Sequence, residues 1–418
     1  MSGKTGASGE VKILVVTNLY PPHHIGGYEL GSRDVVEKLR TRGHAVRVLT
    51  STLRLHKNPE AETDVERSLQ CNMDTACLPH NKRAECAKLS AMMKQFGPDV
   101  VYFWNQAGLS YWLQLAVHWN GAKIAFFLSD TNFVSWRIGA WLAGAAKNNP
   151  LIRAVFGKTF LVLGWPLIEN RTCHFASEFL RNLAVKSGIA PRTSVIAHWG
   201  IEPGQFKVSP RERWPLLRLL YVGQMIPQKG VHTAITAFGR LAKERGFEDL
   251  TFSLAGGGMH PDYEKKLQAL PKQLGIENRV NFLGKVPRVD LPRVYAEHDI
   301  LMFPSEWDEP FAITPLEAIA SGLAVVGTTT GGSGELFRNR ETAMTFAAGD
   351  AADCARAIRE LSTNRELFEN ITRNAQREVR EKHTLDAMVD KIEESLRKMV
   401  ETRKEKAETI DLKQESVS

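Results

Sequence analysis

Short apolar runs alternate along this chain with longer stretches of mixed polarity. Val11–Thr17 is one such run, Tyr28–Arg42 has helical composition, and Ala45–Thr50 is apolar again, which predicts a strand–helix–strand unit. Further runs at Val100–Trp104, Ile124–Leu128 and Thr193–Ala197 extend this into an alternating α/β domain ending near Phe206. Between Lys207 and Leu217 the residues Pro210, Arg211, Arg213 and Pro215 break the periodicity and read as a linker. A second series follows, with strands predicted at Leu219–Val222, Thr251–Ala255, Val280–Leu283, Ile300–Phe303 and Ala324–Gly327. Helices are predicted between them, among them Val231–Arg245 and Tyr263–Leu274. Met388, Ile392, Leu396 and Met399 fall at helical spacing, so Leu385–Met399 is an amphipathic helix with a face to bury.

Composition narrows the class. A chain of 418 residues exceeds the roughly 250–300 residues at which single cores stop growing, so two domains are expected. Hydrophobic residues at 43% and charged residues at 24% are ordinary for a folded soluble chain. The formal net charge of +7 suits an anionic ligand, an anionic membrane surface or nucleic acid, and also simple scatter of surface charge. Cys71, Cys77, Cys86, Cys173 and Cys354 are odd in number and form no C-x-x-C pair, which predicts neither a disulfide framework nor a zinc site. A cytoplasmic location is expected, because Met1–Glu10 lacks a signal-peptide core and no run reaches the ~18 apolar residues of a membrane span.

In open α/β sheets ligands bind where strands end at their carboxyl side, so the loops there carry the candidate chemistry. Asn18–Gly27 follows the first strand, holds Gly26 and Gly27, and opens a helix. Glycines and a helix N-terminus suit a phosphate, although a Gly-Gly pair alone is also an ordinary turn. Gly223–Gly230, read G-Q-M-I-P-Q-K-G, ends in Lys229, either a diphosphate contact or a solvated charge. The third loop, Pro304 to Glu317, reads P-S-E-W-D-E-P-F-A-I-T-P-L-E. Thr314, Pro315 and Glu317 there have the pattern of a capping box, which would give Glu317 a structural task. Glu309 has no such role, and carboxylates accept hydrogen bonds from hydroxyls. Together these loops suit a sugar nucleotide.

From Leu219 to about Leu361 the chain resembles glycosyltransferase family 4, with a thinner likeness in the first domain. G-Q-M-I-P-Q-K-G is similar to that family's G-R-x-x-x-x-K-G, and A-G-G-G-M to its G-x-G-P turn. N-F-L-G-K-V is similar to F-x-G-x-V, E-P-F-A-I-T-P-L-E-A-I-A-S-G to E-x-F-G-x-x-x-x-E-A-x-A-x-G, and T-G-G-S-G-E to G-G-x-x-E. In the first domain I-G-G-Y-E, Ala176-Ser177-Glu178 and Trp199-Gly200-Ile201-Glu202 resemble the family's G-G-x-E, A-x-S-E and N-G-I-D. The resemblance implies an α/β chain of GT-B architecture, two Rossmann-like doubly wound domains facing a cleft. Residues 11–206 would form the acceptor-side domain with 384–400 packing back on it, 207–383 the nucleotide-sugar domain, and 401–418 a polar, disordered tail.

It also implies roles. Gly26 and Gly27 would face the donor diphosphate and Lys229 would neutralise it. Glu309 would contact the donor sugar and Glu317 the ribose. Phe311, Ala312 and Ile313 would supply backbone near the distal phosphate and sugar, and Lys285 and Val286 would lie near the nucleobase. Three departures matter: Gln224 stands where the family has arginine, Ala312 where it has glycine, and Ser129-Asp130 where many members have His-Asp. The implied activity is retaining transfer from a UDP- or GDP-linked sugar to a glycan, lipid-linked or small-molecule acceptor. Asp130 is the candidate acceptor-side carboxylate, with a helix cap or surface residue as the alternative. No D-x-D is present, so neither a metal nor a cofactor is expected, and no nucleic-acid partner. A sugar-nucleotide epimerase and a non-catalytic sugar-nucleotide-binding protein stay open as rivals. Residues 131–168 lack Asp and Glu but interleave Arg137, Lys147, Arg153 and Lys158 with tryptophans and phenylalanines. That segment is either a pair of buried helices or a peripheral contact with the inner face of the membrane or a lipid carrier.

Overall fold

The computed structural model describes residues 9–53, 63–71, 82–110, 112–131, 133, 171–189, 191–208, 214–258 and 260–415. The chain folds into two compact units. The first comprises residues 1–176, 180–197 and 389–418, and the second 177–179 and 198–388.

In the first unit seven parallel strands run in the order β3-β2-β1-β4-β5-β6-β7. They are β1 (Lys12–Val16), β2 (Ala45–Ser51), β3 (Val65–Leu69), β4 (Val100–Phe103), β5 (Lys123–Leu128), β6 (Thr172–Phe175) and β7 (Thr193–Ile196). Every residue of β4 and β6 is buried, as a sheet covered on both faces requires; β4 accordingly reads as an unbroken apolar run, V-V-Y-F, whereas β6 reads T-C-H-F. The described helices here are α1 (Gly27–Thr41), α2 (Lys82–Phe96), α3 (Trp112–Trp119) and most of α4 (Glu178–Lys186). His174 sits wholly buried in β6, its Nδ1 2.9 Å from Tyr102 Oη of β4, and burial pushes its pKa down to about 3.

The second unit repeats the plan with six parallel strands in the order β10-β9-β8-β11-β12-β13. These are β8 (Arg218–Val222), β9 (Thr251–Ala255), β10 (Val280–Gly284), β11 (Ile300–Phe303), β12 (Ala324–Gly327) and the two-residue β13 (Met344–Thr345). Its helices are α5 (Val231–Leu241), α6 (Pro261–Leu274), α7 (Leu291–Ala296), α8 (Thr314–Ala320), α9 (Ala351–Thr363) and α10 (Arg365–Lys382). Helix α5 buries Val231, Ala234, Ile235, Phe238 and Leu241, the spacing of a core-facing stripe. Both units are therefore Rossmann-like, and in each the strand order turns between two neighbours: β1 and β4, then β8 and β11.

The division lies a few residues from the boundaries the sequence suggests, for reasons visible in the backbone. Ile201 bridges Thr384, with Ile201 N donating to His383 O at 3.0 Å and Leu385 N to Ile201 O at 2.8 Å. Gly200 lies so close that a Cβ there would come within 2.1 Å of Thr384 O, so only glycine fits. Residues 198–206 thus go with the second unit. The final helix, α11, spans Leu385–Glu415, and residues from Val389 onward belong to the first unit. Its Val389, Ile392 and Leu396 are fully buried, while Arg42 binds Asp390 and Glu393 at 2.7 and 2.8 Å. Where a polar tail was expected after residue 400, the backbone is helical through residue 415. That stretch is rich in Glu, Lys, Arg and Ala, strong helix formers that need no buried face to extend an existing helix by a few turns. Among the described residues no helix is long and apolar enough to cross a membrane.

Candidate functional site

In the second unit, the loops after β8 and β11 leave the sheet side by side at the turn of the strand order. The β8 loop closes in a 3-10 turn, Pro227–Lys229, ended by Gly230 in the left-handed region at φ 61°. A Cβ on Gly230 would stand 1.9 Å from Pro304 O, so glycine serves both the turn and the approach of the two loops. Glu306 N donates to Gln228 O at 2.9 Å, joining them again. This backbone contact fixes Lys229 beside the β11 loop. Its ammonium donates to Glu309 Oε1, which also accepts Ser305 Oγ at 2.8 Å. Thr328 Oγ1, after β12, donates to Ser305 O at 2.7 Å. Trp307 places its ring centroid 5.6 Å from the Lys229 ammonium, within cation–π range.

Glu309 is only 3% exposed, and a buried carboxylate is costly unless paired and hydrogen-bonded. Lys229 and Ser305 meet that requirement. Burial first, then the charge of Glu309, holds the Tyr221 pKa well above the ordinary phenol value. The same phenol donates to the backbone oxygen of Gln224 at 2.7 Å, anchoring the residue that stands in place of arginine.

Glu317 is brought to this unit's core in a way the sequence does not announce. The N-cap position is Ile313, not Thr314, with αR geometry and no side-chain cap, so the capping-box reading is corrected. The Glu317 carboxylate instead accepts Tyr295 Oη of α7 at 2.9 Å, and Glu317 is 4% exposed. Burial, followed by the charge of Glu317, raises the Tyr295 pKa. Just before α8, Phe311 is buried and Ala312 and Ile313 half-buried. The Phe311 ring stacks on His383 at 5.6 Å and lies 5.2 Å from His198. Lys285 and Val286 follow β10, and a Cβ on Gly257 would lie 3.3 Å from Lys285 Cε, so the β9 and β10 loops also adjoin.

The sequence assigned no role to Glu335, which organises a further cluster. Its carboxylate accepts Glu178 N at 3.0 Å and Phe179 N at 2.8 Å, and meets His198 Nε2 at 2.9 Å. Burial would raise its pKa, but these hydrogen bonds outweigh it and hold Glu335 below the usual carboxylate range. The motif T-G-G-S-G-E marks its position; its partners, up to 157 residues away, could not be read from it.

In the first unit Gly26 caps α1 in extended geometry. Glu29, three residues on, accepts Gly26 N at 3.0 Å and Ile25 N at 3.3 Å, so the helix start is closed by its own carboxylate. Tyr28 donates to Phe127 O at 3.0 Å at the end of β5. Burial and then the charge of Asp130, two residues past the end of β5, raise the Tyr28 pKa. The basic aromatic segment 131–168 lies outside the described residues, apart from Thr131 and Phe133.

Residues 211–378 match the family described as glycosyl transferases group 1. Over 390 residues the chain is 25% identical to an uncharacterized glycosyltransferase of Methanocaldococcus jannaschii, covering 90% of this chain and 95% of that one. Among solved structures, a glycosyltransferase from Rickettsia africae aligns with TM-score 0.73 at 18% identity, covering 94% of this chain and 99% of the other. Anabaena HepE in complex with UDP-glucose aligns with TM-score 0.68 at 21% identity, covering 93% and 99%. The fold is that of these proteins, α/β with two Rossmann-like domains of the GT-B type.

Proposed function

The chain is a glycosyltransferase with a group 1 domain over residues 211–378, and from that premise we propose that it transfers a sugar from a nucleotide-diphosphate donor with retention and without a required metal. The observation that carries this reading is the Lys229–Glu309–Ser305 arrangement on the two loops where the strand order turns. That is where an open α/β sheet takes its ligand. An ammonium has three hydrogens, so Lys229 can keep Glu309 while meeting a diphosphate oxygen. Glu309 has a second carboxylate oxygen for a donor-sugar hydroxyl, and Glu317 for a ribose hydroxyl. Backbone of Phe311, Ala312 and Ile313 would border the distal phosphate, and Lys285 and Val286 the base. Gln224 offers a neutral contact where a second cation would stand. Gly26 and Gly27 are assigned to diphosphate contact and Asp130 to the acceptor.

As the sugar leaves, the bond from its anomeric carbon to the distal phosphate oxygen breaks, and that electron pair stays on the diphosphate. The acceptor hydroxyl oxygen bonds to the same carbon from the same face, and its proton passes to the departing phosphate. Lys229 stabilises the charge that grows on the leaving group, the kind of preorganised electrostatic term that dominates many enzymes. A uridine donor is supported by the UDP-glucose bound to Anabaena HepE. The test is release of nucleoside diphosphate from a panel of UDP-, GDP- and ADP-sugars with a labelled sugar and mixed acceptors, before and after exhaustive chelation. Turnover of one donor class that survives chelation supports the reading. Absence of turnover with all three donors overturns it, and activity rescued only by magnesium or manganese overturns the metal-free part.

A further inference from the structure

At the opposite edge of the first sheet, where the strands begin, lies a cavity of about 670 Å³. Its walls are the amino ends of β5, β6 and β7 and one face of α11. Asp130 follows the carboxyl end of β5, the far end of a six-residue strand, so the two places are about 17 Å or more apart at ~3.3 Å per residue. The cavity is thus distinct from the place of Asp130, and none of the residues assigned above lines it.

Five cations line it: Lys123, Arg171, Arg192, Lys391 and Lys398. Against them stands one carboxylate, Glu394, which pairs with Lys398 at 2.6 Å. The neighbouring Glu393 is engaged with Arg42, His44 and Arg397. Arg171, Arg192 and Lys391 therefore have no carboxylate partner among the described residues. Arg171 is half-buried, with Nη2 2.6 Å from His118 Nδ1 and Nε buried without a hydrogen bond to any described residue. Ser395, also in the wall and 8% exposed, has a buried Oγ with no partner among them. Gathering like charges beside unsatisfied donors is unfavourable in an empty site, because nothing offsets their repulsion and desolvation. Ile124, Val195 and Met399 complete the lining with apolar surface.

We propose that this cavity is a second ligand site, one that binds a phosphate-bearing small molecule or headgroup through Arg171, Arg192 and Lys391. The planar fork of arginine matches phosphate oxygens two at a time, and lysine adds a point charge. A bare phosphate would leave most of the volume unfilled. The size, within the roughly 300–1,000 Å³ of small-molecule sites, and the apolar floor suit a phosphorylated sugar or a lipid phosphate headgroup.

The test titrates the full chain with glucose 6-phosphate by calorimetry and, in a second arm, sediments it with phosphatidylcholine vesicles with and without phosphatidic acid. Each arm is repeated with the Arg171→Gln/Arg192→Gln/Lys391→Gln variant, and with Lys229→Ala as a control for the donor site. The expected result is binding in one arm, weakened roughly tenfold or more in the triple variant and kept in Lys229→Ala. Loss confined to the calorimetric arm identifies a soluble sugar phosphate, and loss confined to sedimentation a lipid headgroup. Hydrogen exchange of the wild-type chain with each probe, reporting on residues 121–124, 192–195 and 391–399, covers the case of a variant that folds poorly. Equal binding by wild type and a folded triple variant, or no added protection of those residues with either probe, overturns the proposal.

Discussion

The loop after β1 and the loop after β8 occupy equivalent places in two sheets of the same design, yet they are chemically opposite. The first turns its glycines into a helix start and closes it with Glu29. The second carries a cation, Lys229, held by a buried carboxylate from the loop after the neighbouring strand β11. One loop offers backbone and the other charge. The lesson is that a repeated fold does not repeat its chemistry: the cation and its buried carboxylate are in the second unit's loops.

The largest expected effect follows from removing that charge. Lys229→Ala should lower kcat by roughly 10²–10³-fold, as loss of a leaving-group contact does elsewhere, measured by nucleoside diphosphate release. Activity within a few-fold of wild type would erase the contrast between the loops. Next comes acid stability, where the first unit is vulnerable through His174. Its folded pKa, about 3, lies below the unfolded value of 6.5. Stability is thus fully present above pH 6.5 and falls as pH drops toward 3, by up to about 1.4 kcal/mol per pH unit. Buried His298 of the second unit, also shifted down by burial, acts in the same direction. His174→Gln should flatten that limb in urea titrations between pH 6.5 and 4; an unchanged slope would exonerate His174.

Glu29→Ala should cost about 1 kcal/mol of stability, the size of a lost helix cap, with kcat little changed. A fall in kcat matching that of Lys229→Ala would mean the first loop is electrostatic after all. The smallest effect is expected of Gln224→Arg, which restores a cation near the β8 loop and should tighten donor binding by about tenfold or less. Calorimetry with the preferred donor checks it, and unchanged affinity would place the Gln224 side chain away from the diphosphate.

How far the sequence carried this picture depended on whether each contact was local. Strands such as Ile300–Phe303 and Ala324–Gly327 are buried throughout and stood out as apolar runs. Strand β3, read V-E-R-S-L, is an edge strand with only Leu69 buried, and β6 carries a histidine that is neutral inside the core, so neither looked like a strand. Lys229 and Glu309 were legible because each loop follows a recognisable strand. The partnership of Glu317 with Tyr295 was hidden, because the local pattern Thr314–Glu317 described a cap while the actual donor sits 22 residues upstream. Glu335 and His198 lie 137 residues apart, and nothing in either neighbourhood announces the other.

The membership of α11 bears on how the molecule is made. The strands of the first sheet leave the ribosome first, whereas Val389, Ile392 and Leu396 of their own unit emerge only after the whole second unit has been synthesised. Domains that fold as units generally do so in order of synthesis, but here the earlier one must wait with part of its core uncovered. A premature stop shortly before Val389 would therefore leave the second unit nearly entire and strand the first, so the nascent chain depends on a helix made after the second unit to shelter a sheet made before it.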